Sequence, residues 1–292
     1  MKKEIILSTS KLSKSFGDLL ALDKVSIDIP KNSISGILGP NGSGKSTLMR
    51  ILSGLIRSWS GSIYFKNISI NKNSNSYLKN FGFMIENPSF YEYLTAQENL
   101  KIFSRLVNAE LSNINNVLDR VDLLKWSDTK VEQFSYGMKQ RLGIAQALLH
   151  NPEILILDEP NNGLDPSGIS EMNKLILDLK NDGKTVCIST HILKDVENLC
   201  TDVAVLKKGK LILSSSLEAL LKKSNSFLIG SSNINKLVKT LNTNTDVRLN
   251  EITKNTIQLE TELGFHELYL LIPDSINISL LEKESGLKKL FI

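Results

Sequence analysis

The stretch GILGPNGSGKST, residues 36–47, limits what this chain can fold into more than any other. An apolar run that reads as a strand leads into Gly39-Pro40-Asn41-Gly42-Ser43-Gly44-Lys45-Ser46, and a helical TLMRILSGLI follows from Thr47. This is G-x-x-x-x-G-K-[ST] in the strand–loop–helix setting that the motif requires. Backbone N–H groups must converge on a polyphosphate, and glycines remove the Cβ atoms that would keep it away. The start of a helix adds unpaired N–H groups and the positive end of its dipole. Lys45 supplies a mobile charge for the β- and γ-phosphates, Ser46 offers a hydroxyl to Mg²⁺, and Thr47 is expected to belong to the nucleotide-binding residues with them. Such a loop takes a nucleoside triphosphate; hydrolysis needs a second site.

EILILDEP, residues 153–160, supplies one. An apolar strand delivers Asp158 and Glu159 to the carboxyl edge of a parallel sheet, where ligands of such sheets bind. Asp158 is expected to hold Mg²⁺ directly or through water, and Glu159 to polarise the attacking water as general base. A second apolar run, TVCIST, follows the helical SGISEMNKLILDLKNDG. Strand, helix, strand with both strands nearly all apolar means a parallel sheet covered on both faces.

Upstream, EIILSTSKL, VSIDI, SISGILG and GSIYFKN are short β-rich runs broken by Gly, Pro and Asn. From about 95 to 150 the pattern turns helical, and TAQENLKIFSRLV begins with Thr95 and Glu98 spaced as a capping box. VAVLKKGKLILSS reads as a hairpin turning near Gly209. Residues 225–292 then become rich in Asn, Thr and Leu and read as β-α-β-β-α-β.

With 41% hydrophobic residues in a chain of 292, a large core and a smaller second one are both within reach. No run approaches the roughly 18 apolar residues of a membrane span, and MKKEIILSTSKLSKSFG has too short an apolar stretch for a signal peptide, so a cytosolic protein is expected. Cys187 and Cys200 have no metal-type spacing and read as reduced thiols. The net charge is +4, with lysines in scattered pairs such as Lys207 and Lys208, which argues against a nucleic-acid partner.

Between the two sites lies FSYGMKQRLGIAQALLHNPEILILDEPNNGLDP, and here the sequence resembles the ATP-binding subunit of ABC transporters, with motifs in the family's order over residues 1–220. The resemblance implies an α/β P-loop ATPase domain over 1–220: a parallel core sheet, an N-terminal antiparallel β subdomain and a helical subdomain at about 87–150. A small α+β domain would occupy 221–292. It implies ATP and Mg²⁺ as cofactors. Ser135, Tyr136, Gly137 and Met138 become the signature segment, which meets the γ-phosphate of ATP held by a second copy, so that ATP binding makes a homodimer. Phe16, in KSFG, would stack on adenine; Asp165 belongs to the D-loop Gly163-Leu164-Asp165; His191, in ISTHIL, would sense the γ-phosphate. Taken singly, Ser135 also reads as a helix cap, His191 as a strand-end histidine and Phe16 as a core aromatic.

Two departures from the family stand out. The usual signature is LSGGQ, whereas Tyr136 replaces its first Gly and Met138 its Gln. Glu86 stands where most relatives carry a glutamine that touches Mg²⁺ and water and links the site to the membrane partner; a carboxylate there is expected to bind metal and to repel the γ-phosphate somewhat.

IENPSFYEYLTAQENL, GMKQRLGIAQALL and THILKDVENLC resemble the subgroup that exports bacitracin and lantibiotic-type peptides, self-immunity transporters included. That subgroup carries a C-terminal extension ending in a helix like the one expected around Leu281, Glu282, Leu290 and Phe291. The resemblance implies an ATPase subunit on the inner face of the cell membrane, serving an integral membrane permease. Taken singly each of Phe90, Tyr91, Tyr93 and Leu94 also reads as packing inward under the helical subdomain, but as a cluster they are expected to form the groove where the permease docks. The alternatives are a soluble ABC ATPase acting on ribosomes or DNA, a multidrug exporter subunit, and a module that holds ATP without cleaving it.

Overall fold

The computed structural model describes residues 3–70, 76–223, 226–261, 263, 265–273 and 275–284. It divides into two compact units, Met1–Ser215 and Ser216–Ile292.

The first unit opens with β1 (Ile5–Phe16), β2 (Leu19–Val25) and β3 (Asp28–Pro30), then β4 (Ile34–Leu38), α1 (Lys45–Leu52), β5 (Ser60–Phe65) and β6 (Ile68–Ser69). β1 pairs antiparallel with β2, β3 and β5, and β5 with β6. VSIDI, which reads as one strand, is therefore split, since Val25 pairs with Leu12 at one end of β1 while Asp28 pairs with Ser8 nearer its start. The second sheet takes β7 (Phe81–Met84), β8 (Ile154–Asp158), β9 (Thr185–Thr190), β10 (Asp202–Lys207) and β11 (Lys210–Ser216). Its order is β11-β10-β4-β9-β8-β7, and the pairs β10–β4, β4–β9, β9–β8 and β8–β7 are all parallel. Every residue of β4, β8 and β9 is buried, as expected for strands covered on both faces. Lys208 and Gly209 both have positive φ at the tight turn into β11, the pair of conformations that a type I′ hairpin turn requires.

Between β7 and β8 run α2 (Ala96–Leu106), α3 (Asn113–Arg120) and α4 (Tyr136–Leu148); α5 (Pro166–Asn181) and α6 (Leu193–Leu199) complete the parallel crossovers. α2 starts as its sequence predicts: the Glu98 N–H donates to Thr95 Oγ1 at 3.1 Å and the Thr95 N–H to Glu98 Oε2 at 2.8 Å. One apolar cluster joins both sheets to α1, from Leu12, Leu22 and Ile63 through Leu48 and Met49 to Phe81, Ile154 and Ile156. The Phe81 ring lies 5.1 Å from Phe65 and 5.8 Å from Phe83. Cys187 and Cys200 are free and buried. Among the described residues, no helix is long and apolar enough to cross a membrane.

The second unit holds α7 (Leu217–Lys223), β12 (Ser226–Ser231), α8 (Ile234–Asn242), β13 (Val247–Ile252), β14 (Thr256–Thr261), α9 (Phe265–Leu270) and β15 (Ile278–Glu284). From β12 on this is the β-α-β-β-α-β order read from the sequence, closed into an antiparallel sheet β13-β14-β12-β15 of ferredoxin-like type. Its own core includes Phe227, Ile229, Leu237, Leu241, Ile257, Leu259 and Leu268. The helix expected around Leu281 and Glu282 is not formed: both lie on β15, where Leu281 pairs with Ile229 and Glu282 with Leu228. The alternation in INISLLEKE satisfies an edge strand better than a helix. Leu290 and Phe291 lie outside the described residues.

Candidate active site

Four adjacent parallel strands deliver the chemistry to one edge. β4 ends in the phosphate loop, β9 in Thr190-His191, β8 in Asp158-Glu159, and β7 two residues before Glu86, in the spatial order β4-β9-β8-β7. Residues far apart in sequence meet there because parallel strands all end on the same side.

The phosphate loop is built for close approach. A Cβ on Gly39 would come within 2.4 Å of the Leu206 carbonyl and 2.5 Å of Ser43 Oγ, and Gly44 takes φ +106 as the N-cap of α1. Among the described residues that helix start has no side-chain cap, and no acidic residue stands in its first turn. Ser43 Oγ is buried and, among the described residues, has no hydrogen-bond partner. Lys45 is 4% exposed; its ammonium donates to the Gly39 carbonyl at 2.8 Å and the Pro40 carbonyl at 3.3 Å, and lies 3.7 Å from Glu159 Oε1. Ser46 and Thr47 follow it in the first turn, while Pro40, Asn41 and Gly42 are the exposed outer wall.

Glu159 stands at the centre. Its other oxygen, Oε2, is 3.2 Å from His191 Nδ1, so one carboxylate bridges the loop lysine and the histidine after β9. The backbone there has left the strand at φ +49, a left-handed conformation costing a non-glycine residue about 1–3 kcal/mol. Ser189, fully buried on β9, holds the Asp158 carboxylate and the Glu159 backbone: its hydroxyl donates to Asp158 Oδ1 and accepts from the Glu159 N–H at 3.0 Å, and that N–H also donates to the Ser189 carbonyl at 3.2 Å. Thr190 sets the other side of His191, donating to Asp195 Oδ2 at 3.1 Å and accepting from the Ile192 N–H at 3.0 Å.

Glu86 also has positive φ, +64, and its carboxylate is ion-paired with the guanidinium of Arg50 on α1. The negative charge expected to repel a γ-phosphate is thus compensated by a cation that sequence reading did not connect to it. Phe16, at the end of β1, is 47% exposed, with the Lys14 ammonium 4.7 Å from its ring centre, so it is a surface aromatic and not a core one.

The signature residues gather elsewhere. Ser135 caps α4, accepting from the Met138 N–H at 3.2 Å. Ser135, Tyr136, Gly137 and Met138 line a cavity of about 420 Å³ together with Asp165 and Gly168. Asp165 caps α5, and its carboxyl is held below its ordinary value by the Gly168 N–H first and the Ser167 hydroxyl second. Among the described residues, no hydrogen bond or ion pair joins residues 135–138 to residues 39–47.

The aromatic loop divides. Tyr91 and Tyr93 are exposed, their rings 6.1 Å apart, whereas Phe90 is half-buried edge-on against Phe103 and Leu94 is half-buried beneath the loop. Asn99, fully buried on α2, pins this loop: Oδ1 accepts from the Tyr91 N–H at 2.9 Å, and Nδ2 donates to the carbonyls of Tyr91 and Thr95, each at 3.0 Å. Its only sequence signal is a polar residue among the apolar positions of an amphipathic helix.

Residues 22–162 match the family model described as ABC transporter. The lantibiotic transport ATP-binding protein SrtF of Streptococcus pyogenes is 41% identical over 213 residues, 73% of this chain and 92% of its own. The bacitracin transport ATP-binding protein BcrA of Bacillus licheniformis is 41% identical over 290 residues, 98% of this chain and 89% of its own, so the likeness includes the second unit. Among solved structures, the ATP-binding cassette MJ1267 in its ADP conformation superposes with a TM-score of 0.68 at 28% identity, covering 74% of this chain and 92% of that one. CbiO1 of Clostridium perfringens, part of an ABC transporter complex, gives 0.67 at 26% identity over 83% and 96%.

Proposed function

The chain belongs to the ATP-binding subunits of ABC transporters, and from that premise we propose that it drives export of an antimicrobial peptide of the bacitracin or lantibiotic kind, giving its cell resistance or self-immunity. As an ABC ATPase it couples ATP hydrolysis to transport, and its partner is an integral membrane permease. The peptide assignment is supported by the two relatives named for lantibiotic and bacitracin transport, one of which the chain follows over nearly its whole length.

The observation that carries the catalytic reading is the Glu159 carboxylate held between Lys45 and His191. In this reading Lys45 exchanges the Gly39 and Pro40 carbonyls for the β- and γ-phosphates of ATP. Glu159, freed of that partner, orients the attacking water and accepts its proton. His191 contacts the γ-phosphate and steadies Glu159, and Phe16 stacks on adenine. The donors suit Mg²⁺: the Ser46 hydroxyl and an Asp158 oxygen are hard ligands, Glu86 adds a third at the edge, and buried Ser189 fixes the Asp158 rotamer. When bound, Mg²⁺ neutralises charge on the triphosphate oxygens.

Ser135, Gly137 and the start of α4 serve ATP held by a second copy, so two chains close on two nucleotides and part after hydrolysis. The permease docks at Tyr91 and Tyr93, with Phe90 and Leu94 as the floor beneath them, at the cytoplasmic face of the membrane. Expression with its cognate permease in a sensitive host, followed by challenge with bacitracin and a lantibiotic panel, tests the reading. Raised tolerance that disappears in Lys45→Ala is expected; unchanged tolerance to every peptide alongside active efflux of hydrophobic dyes would replace it with a multidrug exporter.

A further inference from the structure

Glu86 and Asn87 are tied at opposite ends to two elements, α1 and α4. The Glu86 carboxylate pairs with Arg50 in the last turn of α1, the helix that opens at the phosphate loop. The next side chain, Asn87, accepts through Oδ1 from the Tyr136 hydroxyl at 2.8 Å, and that hydroxyl accepts in turn from Gln140 Nε2 at 2.9 Å. Tyr136 and Gln140 sit one turn apart on α4, so the loop is fastened to the first turn of the signature helix.

Two packing contacts keep this connection short. A Cβ on Gly143 would come within 3.0 Å of both Met84 Sδ and the Pro88 ring, so α4 lies directly against the end of β7 and the residue after Asn87. The Tyr136 ring lies against Gly163 of the D-loop, so closely that a Cβ there would meet it at 3.0 Å. The hydroxyl is aimed at Asn87. A glycine at position 136, the family's usual residue, has no side chain with which to make this link.

We infer that Glu86-Asn87 is a strut joining the phosphate-loop helix to the signature helix, and that Arg50, Asn87 and Tyr136 are positioning residues acting through its two ends. Its consequence is directional. A displacement at the loop, which leads straight into Tyr91 and Tyr93, moves Glu86 beside one nucleotide and the Ser135–Gly137 turn that meets the other nucleotide as a single body. This last step rests on the dimer reading proposed above; the strut itself does not.

Amide hydrogen exchange on the isolated chain tests the strut. Among the described residues Arg50 makes no hydrogen bond or ion pair with α4, yet Arg50→Gln is expected to speed exchange in residues 136–140 by about two- to fivefold, the effect of losing one exposed charge pair. Asn87→Ala and Tyr136→Phe cut the other end and are expected to act to a similar extent, with Arg50→Lys largely restoring the slow exchange. Arg50→Gln combined with Tyr136→Phe should be no faster than the faster single variant, because a strut cut at one end is already released. Multiplying effects, or an Arg50→Gln variant with unaltered exchange in 136–140, would overturn the inference; Glu86→Ala cuts the same end should Arg50→Gln fold poorly. The second measurement is the ATP concentration that half-dimerises the Glu159→Gln protein, expected to rise about two- to fivefold in the same variants, again without multiplying in the double. A Glu159→Gln parent that never dimerises would defeat the dimer reading while the exchange data still decide the strut.

Discussion

Replacing Asn99 with leucine isolates the device that shapes the aromatic loop. The two side chains share the same branched shape and number of heavy atoms and Leu favours a helix, so neither a cavity nor propensity obscures the result. What is lost is the buried acceptor for the Tyr91 N–H and the donors to the Tyr91 and Thr95 carbonyls. At about 1 kcal/mol net for each bond, and with the loop near enough to solvent for water to rescue part of the loss, the cost is about 2–3 kcal/mol. For a unit the size of Met1–Ser215 that corresponds to a fall in melting temperature of about 5–10 °C. Urea unfolding gives the free energy directly, and limited proteolysis should cut between Pro88 and Thr95 much faster in the variant. If the loop docks the permease, Asn99→Leu also weakens its recovery with the permease while leaving fluorescent-ATP affinity as it was. A stability loss below about 0.5 kcal/mol with an uncut loop would refute the reasoning, because buried partners of three hydrogen bonds cannot be abandoned that cheaply.

Ser189→Ala removes the hydroxyl that orients Asp158 and receives the Glu159 N–H; stability should fall by about 1–3 kcal/mol and steady-state ATP turnover with it, and unchanged turnover would show that neither carboxylate depends on this anchor. Asp165 has its folded pKa below the ordinary 3.8, so its contribution is complete above that value and is lost as pH falls through the lower folded one. Asp165→Asn should flatten that part of the acid-unfolding curve, which urea titrations from pH 2 to pH 6 will show. Burial, with Asp158 adding to it, pushes the Cys187 thiol up to about 12, and burial with neighbouring Cys187, Asp195 and Asp202 raises Cys200 as well. Neither thiol should react with an aromatic disulfide reagent at pH 8 until the protein is unfolded, and native labelling would contradict their placement.

How much of this was legible in the sequence depends on the range of the interaction. The phosphate loop, the Thr95–Glu98 capping box and the buried strands ILILD and TVCIST follow from spacing and periodicity, because each signal lies within a few residues. Ser189 and Asn99 were invisible for the opposite reason. Each is one polar residue in an apolar pattern, and its partners lie on another strand or across a loop. Glu86 was recognised as a departure, but its partner Arg50 comes from a different element and only folding brings them together. Tyr136 stands out in the sequence as a replacement for the signature's first Gly, with nothing local to reveal Asn87 as its acceptor. At the C-terminal end the helix that the resemblance implies around Leu281 gives way to strand pairing with β12, in keeping with the local alternation of INISLLEKE.

The most direct test is a comparison of the purified chain with Glu159→Gln in MgATP, following phosphate release and mass in solution together. The account predicts turnover in the parent, no measurable steady-state hydrolysis in the variant, and a stable nucleotide-loaded dimer of the variant that falls apart when ATP is removed. A variant that hydrolyses ATP as fast as its parent, or stays monomeric at saturating nucleotide, would contradict it.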